Sequence, residues 1–255
     1  MDPATIIGLV VSFGGIIAMI YLEGSQIQSI LLPAPMILVF GATIGAALAS
    51  STLVDFKGAM RAIPRAFTAK VPSPDASIER IVQLADRARR EGLLALEDEA
   101  RTIDDPFLRD GLRAAIDGTD PEDLRVILED RIDAKRRADK VIYKFFNTMG
   151  GYAPTIGIVG TVVSLVHVLS NLASPDELGH MIAAAFVATL WGLASANLMW
   201  LPLGGRLARI SDLECAQMEI VLEGLLSVQS GANPRLVGER LRSLLPPGQQ
   251  VKDAA

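Results

Sequence analysis

Charge is missing from long tracts of this 255-residue chain. No Lys or Arg precedes Lys57, none lies between Lys144 and Arg206, and all 24 basic residues fall within 57–144 or 206–252. Cysteine is nearly absent as well. Cys215 stands alone, so no disulfide can close within the chain, which fits a reducing compartment for the segment that carries it. There are only two histidines, His167 and His180, and no Cys or carboxylate pair at metal-ligand spacing, so no metal centre is expected. No Gly is followed by Lys, which removes the phosphate-cradling loop of nucleotide hydrolases. No Ser-His-Asp or Cys-His arrangement can be assembled, so the chain is not expected to be an enzyme or to need a cofactor. Basic residues interleaved with aromatics on one surface, the mark of a nucleic-acid binder, are also lacking.

What is present is apolar: half of the residues, although charged residues still make up 21%. The two figures are compatible because charge and apolarity are segregated. Four apolar stretches are long enough for bilayer helices, which need about 20 residues. They run from about Ala4 to Leu22, Ile30 to Val54, Tyr152 to Leu172 and Met181 to Gly205. The short loops 23–29 and 173–180 join them in pairs and contain no Lys or Arg. The positive-inside rule then places both termini and both large polar segments in the cytoplasm. No basic leader precedes the first stretch, which is expected to be a retained span. The expected organisation is a transmembrane hairpin (1–54), a cytoplasmic helical domain (55–149), a second hairpin (150–205) and a cytoplasmic extension and tail (206–255).

Helix punctuation marks the polar segments. Residues 71–75 (Val-Pro-Ser-Pro-Asp) open a helix, Gly92 interrupts it, and Asp104-Asp-Pro opens another. Asp120-Pro-Glu-Asp supplies an N-cap, a Pro at the first helical position and an acid three residues on. The helix starting there carries Leu124, Ile127, Leu128, Ile132, Val141, Ile142 and Phe145 at helical spacing and is expected to continue into the third span. Residues 206–230 should extend the fourth span, and the tail from Pro246 should be disordered. No strand-like alternation occurs. The expected fold is all-α, a polytopic membrane protein with four transmembrane helices in two hairpins and a helical cytoplasmic domain.

The spans hold no Asp, Glu, Lys or Arg. Intramembrane charges usually mark ion pathways, so if ions cross here a partner must supply the titrating group. The spans instead offer small residues. Gly41, Gly45 and Ala49 form an i, i+4 ladder, Gly157, Gly160, Thr161 and Ser164 share a face, and so do Thr189, Gly192 and Ala196. Such faces allow close helix approach, and their hydroxyls can bond across an interface.

Several motifs then resemble the MotA/PomA family of flagellar motor stator proteins. They are Tyr152-Ala-Pro-Thr-Ile-Gly-Ile-Val-Gly-Thr-Val through Leu169-Ser-Asn-Leu, Thr189-Leu-Trp-Gly with Pro202, and Gly231-Ala-Asn-Pro-Arg. The N-terminal Met1-Asp-Pro-Ala-Thr-Ile-Ile-Gly-Leu and residues 85–98 match too, so the resemblance covers about residues 1–245. It implies an inner-membrane, ion-conducting motility subunit forming a homo-oligomeric ring around a single-span MotB/PomB-type partner, whose aspartate binds the ion. It also implies that the cytoplasmic domain pushes the rotor protein FliG, with proton slightly favoured over sodium as the ion. The alternative is an ExbB/TolQ-type force transducer, although such proteins typically have three spans.

By resemblance, Pro154 and Pro202 couple ion movement to conformational change, and Thr161 and Thr189 lie near the ion path. Arg89, Arg90, Glu97 and Asp98 match the cluster that contacts FliG, and Ala100 stands where some relatives carry a further acid. Each has a plainer reading. The prolines would only start span three and end span four. The threonines would be packing hydroxyls. The four charges would be helix-end electrostatics. His167 is expected to be neutral and bonded to a neighbouring helix.

Overall fold

In the computed structural model, which describes residues 4–70, 73–172 and 175–246, every regular element among the described residues is helical. The first apolar stretch is α1 (Ala4–Leu22). The second, α2 (Pro33–Ala49), contains a π-turn at Ile37–Gly41. It is shorter than the expected 30–54, because the chain closes it chemically. Ser51 Oγ donates to Ala47 O at 2.9 Å, and Thr52 then caps the next helix, α3 (Leu53–Thr68). Thr52 Oγ1 accepts from Asp55 N at 3.2 Å while Asp55 accepts from Thr52 N at 3.1 Å, a capping box that claims Leu53 and Val54 for α3.

Next come α4 (Pro74–Glu91), a 3₁₀ turn (Leu93–Leu96), α5 (Glu97–Thr102) and α6 (Pro106–Ile116). Asp105 caps α6 by accepting from Phe107 N at 2.9 Å. Asp120 does the same for Glu122 N at the start of α7 (Pro121–Ser170), which runs unbroken for 50 residues. The helix α8 (Pro175–Ser195) begins earlier than the expected Met181 and meets a π-turn (Ala196–Trp200) that leads into α9 (Leu201–Gln229). Finally α10 (Pro234–Ser243) is capped by Asn233. Residues 1–3, 71–72, 173–174 and 247–255 lie outside the described residues, and with them the first two residues of the expected helix opening at 71–75 and most of the expected tail.

Contacts divide the chain into two units, Met1–Lys70 with Asp139–Ile210 and Val71–Ala138 with Ser211–Ala255. In the second unit a single core gathers Ile78, Ile81 and Leu84 of α4, Leu112 of α6, Leu124 and Leu128 of α7, Leu225 of α9 and Leu241 of α10. All are at most 1% exposed, and their i, i+3, i+4 spacing on each helix is the reason one face of each turns inward. Of the periodic residues expected on α7, Leu124, Leu128 and Ile132 are buried, while Ile127 and Val141 remain exposed. In the first unit Ala59, Ala62 and Ala66 give α3 a flat stripe that packs on Phe145, Phe146 and Met149 of α7. Arg65 of α3 pairs with the buried Asp139 of α7 through both guanidinium nitrogens, at 2.8 and 3.4 Å.

Among the described residues, α1, α7 and the helix running from Leu178 to Gln229 are long and apolar enough to cross a membrane. The helix α2 is apolar too but spans only Pro33–Ala49, which lies at the lower end of the crossing range of about 17–25 residues.

Candidate functional site

Within the first unit α7 and α8 meet backbone to backbone. A Cβ at Gly157 would lie 2.9 Å from Ala188 O and 3.1 Å from Gly192 Cα. One at Gly192 would lie 2.8 Å from Ala153 O and 3.0 Å from Gly157 Cα, and one at Gly160 would lie 2.8 Å from Ala188 Cβ. Only residues without a side chain permit this approach, so the small-residue faces expected on these helices are one contact seam. Ala188, on the same seam, carries no sequence signal beyond its small size.

On that seam sit the two threonines. Thr161 donates to Ala185 O across the helices at 2.9 Å, and its Oγ1 lies 2.5 Å from Thr189 Oγ1. Thr161 Oγ1 also lies 3.2 Å from Gly157 O one turn back, and within the pair either hydroxyl can donate to the other. Both residues are half-buried. A hydroxyl oxygen has two lone pairs, so whichever of the two accepts within the pair keeps a second one for a further donor or a cation. The plainer packing reading and the ion-path reading therefore describe one pair: it ties α7 to α8 and still presents an oxygen.

Neither proline interrupts its helix. Pro154 lies inside α7, where it removes the N–H that would pair with Gly150 O four residues back. Pro202 is exposed in the first turn of α9 and deprives Leu198 O in the same way. Leu198 falls inside the π-turn Ala196–Trp200, a change of helical register that is common where the i→i−4 ladder is disturbed. His167 is exposed, and its ring nitrogen Nδ1 faces Asn171 Nδ2 at 3.4 Å one turn along the same helix, not a neighbouring helix as expected. The adjacent carbonyl, His167 O, takes the better bond from Asn171 at 2.8 Å, so local capping wins over a cross-helix contact.

Gly41 and Gly45 behave differently from the seam glycines. Both are exposed, and a Cβ at either would meet nothing within 4 Å, so this ladder packs no helix of its own chain.

In the second unit Arg89 and Arg90 close α4, and Glu97 and Asp98 open α5. Between them Gly92 takes φ +86°, where a side chain would be strained, and its N–H bonds Ala88 O at 2.9 Å. All four charged residues are exposed, but they are not equivalent. Arg90 pairs with Asp86, and Arg101 donates to Glu97 at 2.8 Å. Arg89 and Asp98 pair with none of the described residues. Beneath them Glu99 bridges Arg87 at 2.5 Å and Arg80 at 3.7 Å, fastening α5 to α4. The hydrogen bond from Arg87 to Glu99 raises the guanidinium pKa above its ordinary value, so Arg87 stays charged throughout the physiological range. Ala100 is 1% exposed within the core, so an acid there would face the interior and not a partner. At the apex of the turn Leu94 is 75% exposed, an apolar residue between the two unpaired charges that the sequence reading did not single out. Its signal was the run Leu93-Leu-Ala-Leu, where a turn of this length buries fewer side chains than it has.

Residues 99–220 match the family described as the MotA/TolQ/ExbB proton channel family, and residues 6–92 match the motility protein A N-terminal family. The chain is 33% identical to motility protein A of Bacillus subtilis, covering 100% of this chain and 94% of that protein. It is 32% identical to chemotaxis protein PomA of Vibrio alginolyticus, covering 98% of each. Among solved structures it resembles the flagellar MotAB stator complex of Bacillus subtilis with a TM-score of 0.91, at 32% identity and covering 99% of this chain and 100% of that one. It also resembles C. jejuni MotAB with a TM-score of 0.92, at 26% identity and covering 97% of each chain.

Proposed function

Because the chain belongs to the MotA/PomA family of flagellar motor stator subunits, ion-channel and force-transducing components and not enzymes, we propose that its α7–α8 seam flanks the ion path and that the charged corner between α4 and α5 grips the rotor. The observation that carries the first half is the Thr161–Thr189 pair, an available oxygen on helices that hold no charged residue where they cross the membrane. That arrangement needs a carboxylate from elsewhere. The MotAB composition of the similar solved complexes supports a MotB-type single-span partner as its source. In this reading α2 is the fourth span, both termini and the second unit are cytoplasmic, and Pro154 and Pro202 are where the membrane helices can change register.

The proton is the favoured ion, in keeping with the proton channel family the chain matches. A hydroxyl that both donates and accepts can hand a proton on, whereas two engaged threonines supply few of the oxygens a desolvated cation needs. Sodium remains the alternative, decided by whether motility follows the sodium or the proton gradient. The ExbB/TolQ-type reading is disfavoured by the match of residues 6–92 to the motility N-terminal family.

Thr161→Val tests the path. It keeps the shape and removes the hydroxyl's contacts with Gly157 O, Ala185 O and Thr189 Oγ1; such bonds between membrane helices are worth about 0.6 kcal/mol each and rarely above ~1.7. The assembly should survive. Proton flux through the chain with its partner in liposomes should fall roughly tenfold, a barrier change of ~1.4 kcal/mol. Unchanged flux would remove Thr161 from the path, and loss of assembly would make the pair purely structural. Liposomes holding this chain alone should match empty vesicles.

The exposed ladder supports a homo-oligomeric ring. Gly45→Leu meets nothing within its own chain, so the fold should be kept while subunits are held apart. Native mass spectrometry should then show the ring giving way to smaller species. Rings of native size in the variant would mean that this face lies outside the subunit contact.

A further inference from the structure

Two π-turns punctuate the apolar helices of the first unit, Ile37–Gly41 within α2 and Ala196–Trp200 between α8 and α9. In a π-turn an N–H reaches the carbonyl five residues back, so the winding takes up one residue more than an α-helix would, and such turns recur at functional sites. The two turns lie against each other. Phe40, in the first, meets Trp200, which ends the second, with ring centroids 6.3 Å apart and planes at 76°. The same ring meets Trp191 of α8 at 5.9 Å and 54°. Both separations fall in the range of attractive aromatic pairs, about 4.5–7 Å.

The two indoles are held differently. Trp191 Nε1 donates to Ile30 O at 2.6 Å, which pins it to the residues ahead of α2. Trp200 Nε1 is buried without an acceptor among the described residues. Thr43 Oγ1, one turn beyond Phe40 on α2, is buried and unpaired as well. Buried polar atoms are nearly always bonded, so the present register carries a cost in both helices that Phe40 joins. Pro202 loosens the second turn further, since it withholds the N–H that an α-helical turn would give to Leu198 O.

We propose that Phe40 is a positioning residue that passes a change of register at Pro202 to α2. Loss of the second π-turn would take one residue out of the winding and turn Trp200 by about 100° relative to α8. The swing has room, since Trp200 borders an apolar cleft between α1, α3 and the start of α9. It takes the indole off the Phe40 ring, so the aromatic contact that supports the α2 π-turn exists in one register only. The equilibrium in α2 then follows the equilibrium at Pro202. Gly41 ends the α2 turn and Gly45 stands one turn on, so a register change there rotates the exposed ladder assigned above to the subunit contact. A shift beside the ion path thereby reaches the neighbouring subunit. The assignment rests on the reading of Pro202 as a point of register change, and its test scores the two separately.

The chain has two tryptophans, so fluorotryptophan gives the full-length protein in lipid discs two fluorine resonances, which Trp191→Phe assigns. Pro202→Ala restores the N–H to Leu198 O and should move the Trp200 resonance by more than its linewidth. Through Phe40 it should move the Trp191 resonance too. In the Phe40→Leu background the Trp200 response should remain and the Trp191 response should vanish. Phe40→Tyr, which keeps the ring, should bring it back. A merely structural Phe40 would alter both resting positions and leave the response to Pro202→Ala unchanged. A Trp191 resonance that stays still while Trp200 moves, or that responds equally in Phe40→Leu, would overturn the coupling and leave the register reading standing. A Trp200 resonance that stays still would remove the register reading and the proposal with it. If Pro202→Ala does not reach the membrane, Pro202→Ser restores the same N–H and is read by the same criteria.

Discussion

Charge reversal at Arg89 or Asp98 is expected to abolish most motor torque, whereas the same change at Arg90 or Glu97 costs much less. The difference follows from pairing. Arg90 is neutralised by Asp86 and Glu97 by Arg101 within their own helices, so a partner meets a charge that is already partly compensated. Arg89 and Asp98 have no such partner among the described residues and present opposite charges on either side of the exposed Leu94. A rotor surface that fits them carries an acid, an apolar recess and a base. Exposed charges steer association and register more than they add affinity, and salt screens them over about 8 Å at physiological ionic strength. Arg89→Gln should therefore be mild, while Arg89→Glu and Asp98→Lys replace attraction with repulsion. The measurement is torque on tethered cells beside proton flux in liposomes. Torque should collapse and flux should stay at the native level, because the reversals lie in the second unit and leave the seam untouched. A compensating reversal on FliG should restore part of the swimming. If Arg89→Glu and Arg90→Glu impair torque equally, pairing does not rank these residues. If neither impairs it, the corner is ordinary helix-end electrostatics.

Gly157→Leu is expected to be the most damaging single change in the first unit. Its Cβ alone would lie 2.9 Å from Ala188 O and 3.1 Å from Gly192 Cα, which are backbone atoms that cannot swing aside. Overpacking against side chains typically costs ~1–3 kcal/mol. Against backbone the two helices must separate, and their separation also breaks the Thr161 bond to Ala185 O. A loss of roughly 3 kcal/mol or more places the change among the severe class. Thermal unfolding in detergent and the amount of protein recovered in the membrane both read this loss. Gly111→Leu offers a contrast, since a Cβ there meets the far ends of Leu225 and Leu128, which can repack. A Gly157→Leu protein as stable as the native one would mean that α7 and α8 do not rely on close contact.

Much of this was legible in advance. The motifs at 152–163 and 189–192 fall on the two helices that form the seam, and of the small residues named on them Gly157, Gly160, Thr161, Thr189 and Gly192 lie in it. Asp120-Pro, Asp105-Pro and Asn233-Pro each start a helix, since an N-cap followed by proline acts through its nearest neighbours alone. The prolines at 154 and 202 were harder. A proline near the end of an apolar run reads as a boundary, and only neighbouring helices decide whether the chain carries on through it.

What the sequence determined by itself was therefore local or compositional: which stretches are apolar, where the charges stop, which residues cap helices, and which family the chain resembles. These depend on side-chain chemistry and on spacing along one helix. Tertiary structure decided which face meets which. Gly157 and Gly45 look alike as residues in a small-residue ladder, yet one is closed against a second backbone and the other is open. Arg89 and Arg90 are neighbours with the same charge, yet among the described residues only Arg90 finds an acid. Helical periodicity places residues on a common face, but it carries no information about what that face packs against. That is settled by the geometry of approach, in which a tenth of a nanometre separates a contact from a gap.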